Sequence, residues 1–117
     1  MVKKIGILGG GQLARMLVLR AHEIGVKAYV LSPSVQDPAA QVTAHWEQGN
    51  PNRENDVLQF LKKVDVLTFE SEFTSSDVLK ILVKSKNVFP RAAIMSVLQN
   101  RSSQKELMME HQIPTSP

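Results

Sequence analysis

The sequence predicts a three-layer α/β fold, with a parallel sheet of four or five strands and helices on both faces. Three observations carry this. Short apolar runs alternate with stretches of helical period about every 20–30 residues, the pattern of βαβ units. The first apolar run ends in three glycines that open onto a helical stretch. The composition, 43% hydrophobic and 21% charged over 117 residues, suits a single domain with one core and excludes a disordered chain.

Lys4 to Leu8 is a brief apolar run stopped by Gly9-Gly10-Gly11, as expected of a strand buried on both faces. From Gln12 the period lengthens. Leu13, Met16, Leu17, Ala21 and Ile24 recur at helical spacing and are expected to face the core, and Gly25 stands where a glycine closes a helix. Lys27 to Leu31 forms a second strand, and Ser32-Pro33-Ser34 and Asp37-Pro38 mark a loop. Ala44 to Glu47 is expected to be a third strand ending before Gly49, followed by a turn at Asn50-Pro51-Asn52. Val57, Leu58, Leu61 and Val64 form a helical stripe, and Asp65 to Glu70 a fourth strand ending in a carboxylate. Ser75 or Ser76 caps a helix reaching about Lys84, with Val78, Leu79, Leu82 and Val83 inward. Val88-Phe89 is a fifth strand stopped by Pro90, and 92–99 and 101–111 read as two helical pieces. Parallel crossovers are right-handed, which sends helices to both faces. The expected domain is 1–111, with 112–117 a linker toward a further domain.

Several function classes are set aside. The net charge of +3 is spread along the chain without a basic stripe, so a nucleic-acid partner is not expected. No apolar run reaches the roughly 18 residues of a membrane span, and glycines break the stretch after Met-Val-Lys-Lys, so neither a membrane segment nor a signal peptide is expected. There is no cysteine, which removes disulfides, thiolate metal sites and a thiol nucleophile and is compatible with a reducing cytoplasm. His22, His45 and His111 lack metal-ligand spacing, so no metal site is expected. Trp46 is expected in core or edge packing, and Met16, Met95, Met108 and Met109 as core filler.

Two features point to a ligand. Gly9-x-Gly11-x-x-Ala14 lies between a strand and a helix, the setting of a Rossmann-like fingerprint. Small residues there permit the tight turn and let a ligand approach the backbone. The helix start then offers free N–H groups and about half a positive charge to an anion. A nicotinamide site also wants an acid at the tip of the second strand, where this chain has Leu31-Ser32-Pro33. That weighs against an NAD(P)-dependent oxidoreductase and leaves a mononucleotide or ribose phosphate. An interaction module whose glycines only pack helix on strand stays open. The second feature is Glu70 with Glu72 at the tip of the fourth strand. Ligands of open parallel sheets bind outside the carboxyl ends of the strands. If the first and fourth strands are neighbours, Glu70 shares a rim with the glycine turn and can accept hydrogen bonds from hydroxyls or an amine. Arg101 and Lys105 form a basic pair on a later helical stretch.

These residues together resemble the N5-carboxyaminoimidazole ribonucleotide synthase family, ATP-grasp enzymes of purine biosynthesis. The likeness runs through Ile5-Gly-Ile-Leu-Gly-Gly-Gly-Gln-Leu-Ala-Arg-Met16, Pro38-Ala-Ala-Gln-Val42, Thr68-Phe-Glu-Ser-Glu72, Asn100-Arg-Ser-Ser-Gln-Lys105 and Ile113-Pro-Thr-Ser-Pro117. It covers the whole chain. Gln12-Leu13 separates it from the formate-dependent glycinamide ribonucleotide transformylases, the sister family, which typically have Glu-Leu at that point. The resemblance implies an ATP-dependent carbon–nitrogen ligase. ATP and Mg²⁺ convert bicarbonate to carboxyphosphate, which carboxylates the amine of aminoimidazole ribonucleotide. It further implies that Gly11, Gln12 and Leu13 hold this substrate with Glu70, that Arg101 reaches the ATP phosphates, and that the full-length parent is a cytoplasmic homodimer. Ala14 stands where Gly is usual, Asn100 where Asp is, Ser71 where an aromatic is common and Phe73 where Asn is. Family members have about three domains, so the ATP-grasp lid and its metal-binding carboxylates are expected beyond this chain, which alone is expected to be inactive.

Overall fold

The alternation of apolar runs and helical stretches resolves into five strands and three helices. A computed structural model gives the fold and describes residues 4–70, 74–85, 87–90, 95 and 111. In chain order the elements are β1 (Lys4–Leu8), α1 (Gln12–Glu23), β2 (Lys27–Ser32), β3 (His45–Gln48), α2 (Glu54–Leu61), β4 (Val66–Phe69), α3 (Ser76–Leu82) and β5 (Val88–Phe89). The helical pieces expected at 92–99 and 101–111, the linker at 112–117, and Ser71, Glu72 and Phe73 lie outside the described residues, Met95 and His111 excepted.

All strands pair in parallel in the order β3-β2-β1-β4-β5. The chain moves outward from β1 to β3, then returns to place β4 on the other side of β1. The switch in direction therefore falls between β1 and β4, where open α/β sheets bind ligands. The central strands β1 and β2 carry buried residues on both faces, and alternate residues feed two cores. On one face Leu8, Leu31, Leu67 and Phe69 pack with Val57 and Phe60 of α2 and with Val78, Leu79 and Leu82 of α3. On the other, Ile7, Ala28 and Val30 pack with Ala14, Val18 and Ala21 of α1 and with Ala39.

The stripe expected to bury α1 is corrected by the structure. Ala21 is buried as expected, but Leu13, Met16, Leu17 and Ile24 are 43–60% exposed. The buried line is Ala14, Val18 and Ala21, at i, i+4 and i+7. Small residues on this line bring the helix axis close to the sheet, whereas a leucine–methionine face would hold it away. The helix ends as expected. Gly25, at φ 77°, donates to the His22 carbonyl, and Val26 N–H reaches Ala21. This pair of bonds satisfies the last turn, and the left-handed residue between them is favoured as glycine.

Two further helix faces shift. Leu58 and Val83 are exposed, while Phe60, absent from the expected stripe of α2, is fully buried. Its ring fits because β1 carries Gly6 opposite it: a Cβ there would come within 2.8 Å of the Phe60 ring. Ser75 caps α3 by accepting from Val78 N–H at 3.2 Å. Trp46 packs at the edge strand, against the α1-side core. Among the described residues, no helix is long and apolar enough to cross a membrane.

Candidate functional site

The tip of β1 is where the chain turns sharply from strand to helix. Gly9 adopts φ 117°, a left-handed conformation that L side chains resist, and its N–H is tied to the Leu31 carbonyl at 3.0 Å. Gly11 is the N-cap of α1, with extended backbone and no side chain to cap the first turn. Its carbonyl accepts from Arg15 N–H at 3.0 Å. No acidic residue occupies the first turn of α1, while Arg20 and His22 lie in the last. The helix thus carries no acidic residue of its own at its positive end, while its negative end is complemented from within. The N–H groups of Gly10, Gly11, Gln12 and Leu13 find no acceptor among the described residues.

Two walls flank this turn, because β2 and β4 lie on opposite sides of β1. On the β4 side, Glu70 N–H donates to the Leu8 carbonyl at 3.1 Å, extending the β1–β4 pairing by one step. That bond carries the Glu70 side chain over the glycines. A Cβ at Gly9 or Gly11 would overlap its carboxylate oxygens. The half-buried carboxylate thus lies directly against the turn, with no donor paired to it among the described residues. On the β2 side, Ser32 is fully buried and sits beneath Gly10, where a Cβ would be 2.7 Å from its Oγ. Asp37 approaches Gly10 from the same side, and Ala39 N–H binds the Gly10 carbonyl at 2.8 Å.

Four of the five residues expected at the site therefore come together. Gly11 and Glu70 are in contact, and Gln12 and Leu13 open the helix beside them, both exposed. The helical wheel counted Leu13 as core, and its 58% exposure leaves it free to meet a ligand at the rim. Arg101 lies outside the described residues. Ser32 and Asp37 were not singled out. A buried serine at a strand tip leaves no trace in hydrophobic periodicity, and Asp37-Pro38 reads only as a loop marker. Ser32 also bears on nicotinamide binding: the residue at the β2 tip is wholly buried and cannot reach a ribose diol.

The chemistry available is that of a two-ended ligand. Uncapped amides at a helix start take an anion. A carboxylate offers hydrogen-bond acceptors, so the Glu70 side chain can take bonds from hydroxyl or amine groups. Among the described residues no group of three or more His, Asp or Glu is placed to hold a metal ion.

The family model of the ribonucleotide synthetase preATP-grasp domain matches residues 2–99. The chain belongs to this family. Its relatives include N5-carboxyaminoimidazole ribonucleotide synthase of Staphylococcus aureus, 36% identical over 104 residues, which span 89% of this chain and 28% of that protein. The bifunctional purine synthesis protein purC/E of Dictyostelium discoideum is 35% identical over 112 residues, 96% of this chain and 11% of that protein. The chain thus spans little more than a quarter, or less, of these relatives' length. Among solved structures, N5-carboxyaminoimidazole synthase from Aspergillus clavatus, in complex with ADP and 5-aminoimidazole ribonucleotide, superposes with a TM-score of 0.89 at 32% identity. That match covers 99% of this chain and 31% of the other. The Thermotoga maritima N5-carboxyaminoimidazole ribonucleotide synthetase gives 0.87 at 29% identity, over 98% and 32%. These structures share the fold of this chain, a parallel sheet with helices on both faces.

Proposed function

We propose that this preATP-grasp domain binds 5-aminoimidazole ribonucleotide for an ATP-dependent ligase that carboxylates it with bicarbonate in purine biosynthesis. The observation that carries the proposal is the Glu70 carboxylate lying against a glycine turn whose amides have no partner among the described residues. The substrate has both ends this rim selects. Its phosphate suits the amides of Gly11, Gln12 and Leu13, and its ribose hydroxyls and exocyclic amine suit Glu70. The Aspergillus clavatus enzyme, crystallised with this ribonucleotide, supports the assignment.

In this scheme ATP transfers its γ-phosphoryl group to bicarbonate, giving ADP and carboxyphosphate. The substrate amine then attacks the carboxyl carbon, and inorganic phosphate leaves as the C–N bond forms. This chain's part is to bind and orient the amine. Phosphoryl transfer depends on positioned cations, and among the described residues no group of three or more His, Asp or Glu is placed to hold one. We assign Arg101 to the ATP phosphates on the strength of the Asn100–Lys105 motif.

Calorimetric titration with aminoimidazole ribonucleotide tests the proposal. Binding by the wild-type chain that is lost in Gln12→Ala and Glu70→Ala is the expected result. In the full-length polypeptide, the same variants lose ribonucleotide-stimulated, bicarbonate-dependent ATP hydrolysis. Wild-type affinity in both variants would remove the assigned roles.

A further inference from the structure

The glycine turn also has a support on the β2 side, away from Glu70. Ser32 ends β2 with no exposed surface, and its hydroxymethyl group is the floor on which Gly10 rests. The hydroxyl oxygen accepts from Trp46 Nε1 at 2.9 Å. Trp46 belongs to edge strand β3, where it registers with Val30, and its ring lies over the same face of the sheet. From the loop that follows Ser32, Ala39 N–H holds the Gly10 carbonyl. The peptide unit is planar and trans, so a fixed Gly10 carbonyl turns the Gly11 N–H the opposite way, away from the 32–39 loop. Ala39 thus fixes the rotation of this peptide, and the Ser32 side chain lies against Gly10.

We infer that Trp46 and Ser32 form a positioning pair for the substrate-binding turn: the indole N–H holds the Ser32 hydroxyl under Gly10, which fixes the Gly10 and Gly11 amides relative to Glu70. The inference rests on the function proposed above. Neither side chain reaches the ligand, since Ser32 is buried and Trp46 acts through it. A hydroxyl sealed from water needs its partner, so loss of the indole N–H frees Ser32 to turn and Gly10 to settle.

The test is calorimetric titration of the chain with aminoimidazole ribonucleotide, comparing wild type, Trp46→Phe, Ser32→Ala and the double variant. Thermal melts establish that each is folded at the temperature used. Each single variant is expected to weaken binding about two- to tenfold, the span of one net hydrogen bond. The double variant should bind no more weakly than the weaker single, because both changes act through one contact. Should Trp46→Phe fail to fold, Ser32→Ala, which removes one atom, carries the test. A purely structural pair would lower the melting temperature and leave affinity untouched. Wild-type binding with single-variant affinities equal to it overturns the positioning role alone. No binding by the wild-type chain overturns the functional proposal, and this inference with it.

Discussion

The two faces of the sheet are filled in different ways. Under α2 and α3 the core is built from Phe60, Leu67, Leu79 and Leu82, large side chains at 0–2% exposure. Under α1 the helix itself contributes only Ala14, Val18 and Ala21, set against Ala28 and Ala39. Buried apolar area is the main source of stability, so the large-residue face anchors the domain. The small-residue face has a different use. It lets α1 lie close against β2, while the start of the helix meets the tip of β1 in a three-glycine turn beside Glu70. One face holds the fold, and the other sets the geometry of the site.

That division can be broken by mutation. Phe60→Ala should cost the most stability, about 3–5 kcal/mol, since the ring is fully buried against Gly6 and its removal leaves a cavity in the core. Urea denaturation measures the loss, and ligand affinity per folded molecule should stay unchanged. Ala14→Leu attacks the other face. It should destabilise by about 1–3 kcal/mol through overpacking, and by lifting the start of α1 it should also weaken ligand binding. An Ala14→Leu protein that binds normally would show that close approach is not needed. Met16→Ser sharpens the comparison from the solvent side. At 56% exposure this methionine should change stability by no more than about 0.5 kcal/mol, although the sequence pattern counts it as core.

The difference between the faces also explains what the sequence revealed. The central strands β1 (Lys4–Leu8) and β2 (Lys27–Ser32) showed through because they are buried on both faces and read as largely apolar runs. Glycine punctuation was equally legible at Gly9–Gly11 and Gly25, where φ and close approach admit few other residues. The inward face of α1 was not. A hydrophobic ranking prefers Leu13, Met16 and Leu17 to Ala14, yet contact distance to the sheet favours the smaller residue. Phe60 was missed because its complement, Gly6, is 54 positions earlier and joins it only through packing. The meeting of Glu70 with the glycine turn was conditional on β1 and β4 being neighbours, and strand order follows from tertiary packing, not from local pattern. The Trp46–Ser32 bond spans 14 residues between two strands and has no local signature.

The central claim is that the turn at Gly9–Leu13 and the Glu70 carboxylate form one ligand site. Amide chemical shifts of the ¹⁵N-labelled chain, followed while aminoimidazole ribonucleotide is added, test it most directly. The amides of Gly10, Gly11, Gln12 and Leu13 should move together with that of Glu70 and saturate along one binding curve. Saturable shifts confined to other parts of the sheet, with those five amides unmoved, would contradict it.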